Sequence, residues 1–156
     1  MNREYLISIT DPRSPVVEAY RMIRTNLEFT NVEKTNKTIV VTSAKTQEGK
    51  STTTANLAIT IANSGKKVLV IDGDMRKPKM HHMYDLPNDR GLSTVIAKKD
   101  PLEEVVHRIP DVEGLSVLVS GPVPPMPAEL LGSKRMSRLL EEVSQGYTCS
   151  STPHPC

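Results

Sequence analysis

Aromatic residues are nearly missing from this chain: it has one Phe, Phe29, four Tyr and no Trp in 156 residues. That scarcity argues against a stacking platform for single-stranded nucleic acid. The two cysteines, Cys149 and Cys156, lie close to the end of the sequence. The body of the chain therefore has no disulfide framework, which suits a reducing, cytoplasmic setting. No apolar run approaches the roughly eighteen residues that a membrane span needs. Asp11, Pro12 and Arg13 interrupt any apolar stretch near the start, so a signal-peptide pattern is also lacking. The formal charge is only +2, which gives neither a basic nucleic-acid footprint nor an acidic tail, and no nucleic-acid partner is expected. No internal repeat and no second domain can be read.

What is present alternates between helix and strand patterns. Ser14-Pro15 supplies a hydroxyl N-cap followed by proline at the first helical position. Val16, Tyr20, Ile23 and Leu27 then recur at helical spacing, predicting a buried stripe on a helix running to about Phe29. Asn31 to Lys37 is polar and reads as a loop. Thr38 to Thr42 is β-branched and predicts a buried strand, Lys50 to Asn63 a helix closed by Gly65. Val68 to Asp72 and Leu115 to Val119 are two further strands, with short helices expected over 91–97 and 101–106. Pro122, Pro124, Pro125 and Pro127 stiffen an extended loop, and helix resumes over 128–143. This order predicts an α/β fold: a parallel sheet flanked by helices in three layers.

Two segments carry chemistry. Ala44-Lys45-Thr46-Gln47-Glu48-Gly49-Lys50-Ser51 lies between a strand and a helix and fits the phosphate-binding loop pattern, with Ala44 at the first glycine position. A helix N-terminus offers unpaired N–H groups and partial positive charge to phosphate oxygens. Residues Thr46, Gln47, Glu48, Gly49, Lys50, Ser51 and Thr52 are thus the expected nucleotide contacts. Lys50 is placed to reach the β- and γ-phosphates, and the Ser51 hydroxyl to ligate magnesium. The bland alternative, an accidental Gly-Lys-Ser in a solvated loop, loses weight because the strand–loop–helix context is also present.

The second segment is Asp72-Gly73-Asp74-Met75-Arg76, just past a buried strand. Ligands in open α/β sheets bind at the carboxyl ends of strands. Asp72 is expected to hold a magnesium-bound water or accept a proton from an attacking hydroxyl, with Asp74 assisting. Arg76 is expected to pair with phosphate or with Asp74. A plain polar turn is the competing reading, since Asp-Gly is common in turns. His81 and His82 read as surface or packing histidines, because adjacent residues rarely share one metal ion without other partners.

Together these segments resemble the cytoplasmic bacterial tyrosine kinases, the BY-kinases of capsule and exopolysaccharide synthesis. The likeness extends to the helix segment 14–26, to Gly91-Leu92-Ser93 and to Pro124 through Leu131. It implies ATP and Mg2+ as cofactors, with Lys50, Asp72 and Asp74 as catalytic residues and Ser51 and Asp72 at the metal. It implies oligomerisation through Glu18, Arg21 and Arg24, which lie three apart on one helix flank. It also implies a membrane-bound activator or polysaccharide co-polymerase, intact kinase subunits and protein tyrosine substrates as partners. The implied location is the cytoplasm, peripheral to the membrane through the activator. Two other readings are an inert ATP-binding interaction subunit of the same system and a ParA/MinD-type ATPase, since Lys45 sits where those ATPases carry a signature lysine.

The chain departs from the family in two places. Thr46-Gln47 stands where the family often has Pro-Gly, which alters loop stiffness. After Tyr147 the family continues into a strand ending Asp-Thr-Pro-Pro, whereas this chain reads Thr148 through Cys156. The expectation is an incomplete kinase domain over 1–147 that lacks its C-terminal strands, with 148–156 an aberrant tail. Such a domain would expose a sheet edge. It would lack a magnesium-positioning carboxylate and a tyrosine-rich tail, so transfer should be slow. If residues 149–156 are encoded TGT TCA TCG ACA CCC CAC CCT TGT, reading two bases later gives Phe-Ile-Asp-Thr-Pro-Pro-Leu. The tail is accordingly read as frame-shifted.

Overall fold

The computed structural model describes residues 3–30, 38–146 and 148–152. The polar stretch 31–37, Tyr147 and residues 153–156 lie outside the described residues.

Among the described residues the sheet has five strands: β1 (Thr38–Val40), β2 (Val68–Asp72), β3 (His107–Arg108), β4 (Leu115–Leu118) and β5 (Thr148–Thr152). Their spatial order is β1-β5-β2-β4-β3. All neighbours are parallel except β3, which pairs antiparallel with β4. The sheet is therefore mixed at one margin, where a parallel one was expected. Two residues of β3 are too few to carry a periodic signal.

β2 and β4 are buried along their whole lengths, as their unbroken apolar runs require. β1 differs from its expectation as a buried strand. It forms the opposite margin of the sheet, with Val40 56% exposed and Ile39 half-buried. A β-branched run alone does not distinguish an edge from a centre.

Within the segment read as an aberrant tail, Thr148–Thr152 forms a strand in the slot between β1 and β2. Its composition, Thr-Cys-Ser-Ser-Thr, is nonetheless polar, whereas inner parallel strands are normally rich in Val, Ile and Leu.

Helices cover both faces. On one face α1 (Ile7–Thr10), α2 (Pro15–Phe29), α3 (Lys50–Ala62) and α4 (Met80–Met83) surround a core of Leu6, Ile59, Val68, Val70 and Val117. On the other, α5 (Leu92–Lys98), α6 (Leu102–Val105), α7 (Pro127–Leu131) and α8 (Lys134–Gly146) enclose Leu69, Ile71, Met75, Ile96 and Leu139. Alternate residues of β2 feed the two cores, as strand periodicity dictates. The segment expected as one helix over 128–143 is split into α7 and α8 at Gly132-Ser133. The Ser133 hydroxyl accepts from Met136 N at 3.3 Å, restarting the helix with its own cap.

The start of α2 follows the sequence: Ser14 Oγ accepts from Val16 N at 3.2 Å, and Pro15 opens the helix. Its buried stripe is rotated from the expected one. Val17 is the buried residue, with Tyr20 and Leu27 packing on the core, while Val16 and Ile23 are 49% and 41% exposed. Arg24 stands on this inward side, where its Nη1 donates to Thr60 O at 3.1 Å. An arginine stem and head thus substitute for an apolar residue by reaching a helix carbonyl.

Gly91-Leu92-Ser93 docks α5 against the end of β4. Leu92 N donates to Val119 O at 2.8 Å, and Ser93 N to Ser120 O at 2.9 Å. A Cβ at Gly91 would collide with Gly121 N and Val119 O, so the position admits only glycine without movement.

Candidate functional site

The loop after β1 turns into α3 through two residues with left-handed backbone, Gln47 at φ 62° and Gly49 at φ 79°. Glycine adopts this conformation freely, whereas a glutamine there is strained by about 1–2 kcal/mol. Ser43 Oγ donates to Lys45 O at 2.9 Å, and Lys45 N donates to Glu48 Oε2 at 3.2 Å. These bonds curl the loop ahead of α3, and the first residues of that helix line a cavity. Beyond the first turn, α3 is anchored by Asn56, whose Nδ2 donates to Thr52 O at 2.9 Å and Tyr5 O at 2.8 Å. Its Oδ1 accepts from Ser8 N at 3.0 Å.

The cavity measures about 540 Å³, within the range of small-molecule sites. Its wall includes the whole run from Lys45 to Thr52, so every residue expected to touch nucleotide lines it. Asp74 faces it from the loop after β2, and Lys50 Nζ lies 3.8 Å from Asp74 Oδ2. Both side chains are largely buried, 11% and 18% exposed. The ammonium and carboxylate therefore hold one another across the opening.

Asp72 occupies a different position. It is 3% exposed and is not part of the cavity wall. Its Oδ1 accepts from Asp74 N at 3.1 Å, and its Oδ2 from Lys79 N and Met80 N, each at 3.1 Å. Burial pushes its carboxyl above the usual carboxylate range, opposed by those backbone donors. The side chain fixes the turn that presents Asp74. Asp74 Oδ1 in turn accepts from Lys77 N at 3.0 Å. Arg76 is exposed and lies outside the wall, whereas Lys77, Lys79 and His82 contribute to it. Four lysines, Lys45, Lys50, Lys77 and Lys79, therefore surround one opening. Only Lys45 and Lys50 belong to the loop motif. The other two follow a turn whose course depends on Asp72, and a linear pattern does not show where they point.

His81 and His82 have ring centroids 4.0 Å apart. Burial first, and the neighbouring His82 second, lower the His81 pKa. The histidines belong partly to packing, as expected, but His82 also reaches the cavity.

The wall's chemistry fits a magnesium–nucleotide complex. Among the described residues no group of three or more His, Cys, Asp or Glu side chains stands ready to hold a metal. Magnesium does not need one, since it keeps waters and takes few protein oxygens beside substrate phosphates. Ser51 and Asp74, both on the cavity wall, carry side-chain oxygens of the kind that could serve it.

Glu18 and Arg21 form an exposed ion pair at 3.0 Å, and Arg21 Nη2 also donates to Pro12 O at 3.0 Å. Arg24 is separated from them by its contact with Thr60. The expected charge row is therefore divided: two members face outward and one is turned toward α3. No helix of the described residues is long and apolar enough to cross a membrane.

The sequence model of the CobQ/CobB/MinD/ParA nucleotide binding domain matches residues 39–151. The chain is 49% identical over 142 residues to the tyrosine-protein kinase YwqD of Bacillus subtilis, covering 91% of this chain and 60% of that protein. It is 43% identical over 136 residues to the putative tyrosine-protein kinase CapB of Staphylococcus aureus, covering 87% and 59%. Among solved structures, the kinase domain of the Escherichia coli tyrosine kinase ETK superposes with a TM-score of 0.91 at 36% identity, covering 96% of this chain and 59% of that one. The chain thus spans about 60% of the length of the curated relatives it matches.

Proposed function

The chain belongs to the CobQ/CobB/MinD/ParA nucleotide binding domain family, with bacterial tyrosine-protein kinases as its relatives, and we propose that it binds ATP with magnesium and transfers the γ-phosphoryl group to tyrosine hydroxyls. The observation that carries the proposal is the single cavity that Lys50, Ser51 and Asp74 share. In it the helix N-terminus and Lys50 hold the β- and γ-phosphates, and Ser51 with Asp74 supplies the protein oxygens for the cation. Magnesium, when bound, neutralises charge on the phosphates. Asp74, rather than Asp72, is the carboxylate placed to take the proton of an incoming hydroxyl. Asp72 acts as a positioning residue through the backbone N–H groups of residues 74, 79 and 80. Phosphoryl transfer depends chiefly on such positioning and charge neutralisation.

The proposed setting is control of capsule or exopolysaccharide synthesis, with a membrane-bound activator bringing the chain to the inner face of the membrane. Self-association through Glu18 and Arg21 is part of the same proposal, supported by their exposure on α2. For the segment after Tyr147 we propose a shifted reading frame. The polar composition of β5 supports it, since the alternative Phe-Ile-Asp-Thr would put apolar residues between β1 and β2. Its carboxylate would fall near Thr152, which pairs in register with Asp72. Sequencing the gene tests this: no frame encoding Asp-Thr-Pro-Pro there would overturn it.

Calorimetric titration with Mg-ATP tests the site. Lys50→Met should weaken binding by about tenfold to a hundredfold, the value of a charge-assisted bond. Equal affinity in the two proteins would remove Lys50 from the nucleotide.

A further inference from the structure

Tyr5 precedes both motifs and belongs to neither, yet it lines the same cavity as Lys50, Ser51 and Asp74. We propose that Tyr5 is a phosphoacceptor of this chain's own site, modified by γ-phosphoryl transfer from the ATP bound there. The inference rests on the kinase reading above and names a substrate for it.

Three observations converge. First, Tyr5 is 45% exposed and is part of the cavity wall. Second, the segment that carries it is held to the nucleotide helix. Tyr5 O accepts from Asn56 Nδ2 at 2.8 Å, Ser8 N donates to Asn56 Oδ1 at 3.0 Å, and Leu6 is fully buried. Asn56 is also bonded to Thr52 O, one residue past Ser51. Tyr5 is thereby positioned by the same helix that positions the phosphates, which makes the encounter intramolecular and favours it entropically. Third, the other described tyrosines are unsuited. Tyr84 is 4% exposed, donates its hydroxyl to Ala55 O at 3.3 Å, and burial holds its proton more tightly than usual. Tyr20 packs against the core under α2.

The step balances simply. Tyr5 Oη forms a bond to the γ-phosphorus while the bond from that phosphorus to the β,γ-bridging oxygen breaks. ADP leaves, and the phenolic proton passes to the Asp74 carboxylate. The product carries a phosphate dianion beside Lys45, Lys77 and Lys79, cations available to pair with it.

Peptide mapping by mass spectrometry tests the proposal after the 156-residue chain is incubated with Mg-ATP, with and without an added tyrosine peptide. Trypsin cleavage after Arg3 and Arg13 isolates Tyr5 as the sole tyrosine of its peptide. The expected result is phosphotyrosine at Tyr5, lost in Lys50→Met and in Tyr5→Phe, with Tyr5→Phe still binding Mg-ATP as wild type does. The labelled fraction should grow at a rate unchanged by dilution. Lys50-dependent label on the added peptide or on other tyrosines, without Tyr5, overturns the assignment and leaves the kinase reading standing. A labelling rate that falls with dilution overturns the intramolecular transfer. No Lys50-dependent phosphotyrosine anywhere overturns both readings.

Discussion

Lys50 Nζ and Asp74 Oδ2 face each other at 3.8 Å across the cavity mouth, although they come from separate loops of the sheet. Lys50 opens α3, and Asp74 follows β2, so the pair is brought together only by the parallel crossover from one to the other. A nucleotide phosphate entering this gap replaces one partner of the ammonium. The two aspartates of the second loop then differ in what their loss does. Asp72→Asn presents an amide nitrogen to backbone N–H groups and should cost about 1–3 kcal/mol of stability without any ligand. Asp74→Asn keeps an oxygen for Lys77 N but leaves the largely buried Lys50 ammonium without its carboxylate, so it should destabilise the ligand-free chain, recover with bound nucleotide phosphate, and abolish transfer. Chemical denaturation of both variants, beside a transfer assay, checks the division.

Gln47 holds a left-handed backbone where a glycine would sit at ease. Gln47→Gly should raise unfolding free energy by about 0.5–1 kcal/mol, the relief of strain less glycine's larger unfolded entropy. Replacement by Val, which tolerates this conformation poorly, should destabilise. Denaturation midpoints of the two variants against wild type decide the matter.

Ser150 sits in register with Ile39 on one side and Val70 on the other. Both neighbours contribute to the same core. Ser150→Val should stabilise the chain by about 0.5–1 kcal/mol through the β propensity of a position between two paired strands. A neutral or destabilising result in thermal unfolding would contradict an inner position for β5.

Arg90 pairs with Asp100 at 3.2 Å and Glu104 at 3.1 Å, tying the loop before α5 to the segment after it. The Thr94 side chain first, and Arg90 second, hold the Asp100 carboxyl below its ordinary pKa of 3.8. A depressed folded-state pKa contributes stability above the unfolded value and loses it as pH falls through the folded one. Wild type should thus lose its advantage over Asp100→Asn as pH drops from about 4 downward. Melting temperatures of the two proteins across that range provide the check, and a constant gap would contradict the pairing.

Much of the fold could be read from local signals. Ser14-Pro15 marked the start of α2, Gly65 the end of α3, and the apolar runs of β2 and β4 their burial. Periodicity was less informative on α2, because an arginine can occupy an inward position by bonding a carbonyl. Apolar spacing favours Val16, which is aligned with Ile23, over the buried Val17, which is aligned with Arg24. The phosphate loop was legible because its chemistry is compressed into consecutive residues. Tyr5, Lys77, Lys79 and His82 were not, since tertiary packing alone brings them to the cavity. Asp72 and Asp74 looked alike in sequence. Their separation into a buried backbone acceptor and a cavity carboxylate depends on where the chain turns after β2.

The most direct test of the central claim is phosphotyrosine formation from radiolabelled Mg-ATP, compared between wild type and Lys50→Met. The account predicts tyrosine labelling in wild type that is lost in the variant. Nucleotide binding without Lys50-dependent tyrosine labelling, on itself or on an added peptide, would contradict it.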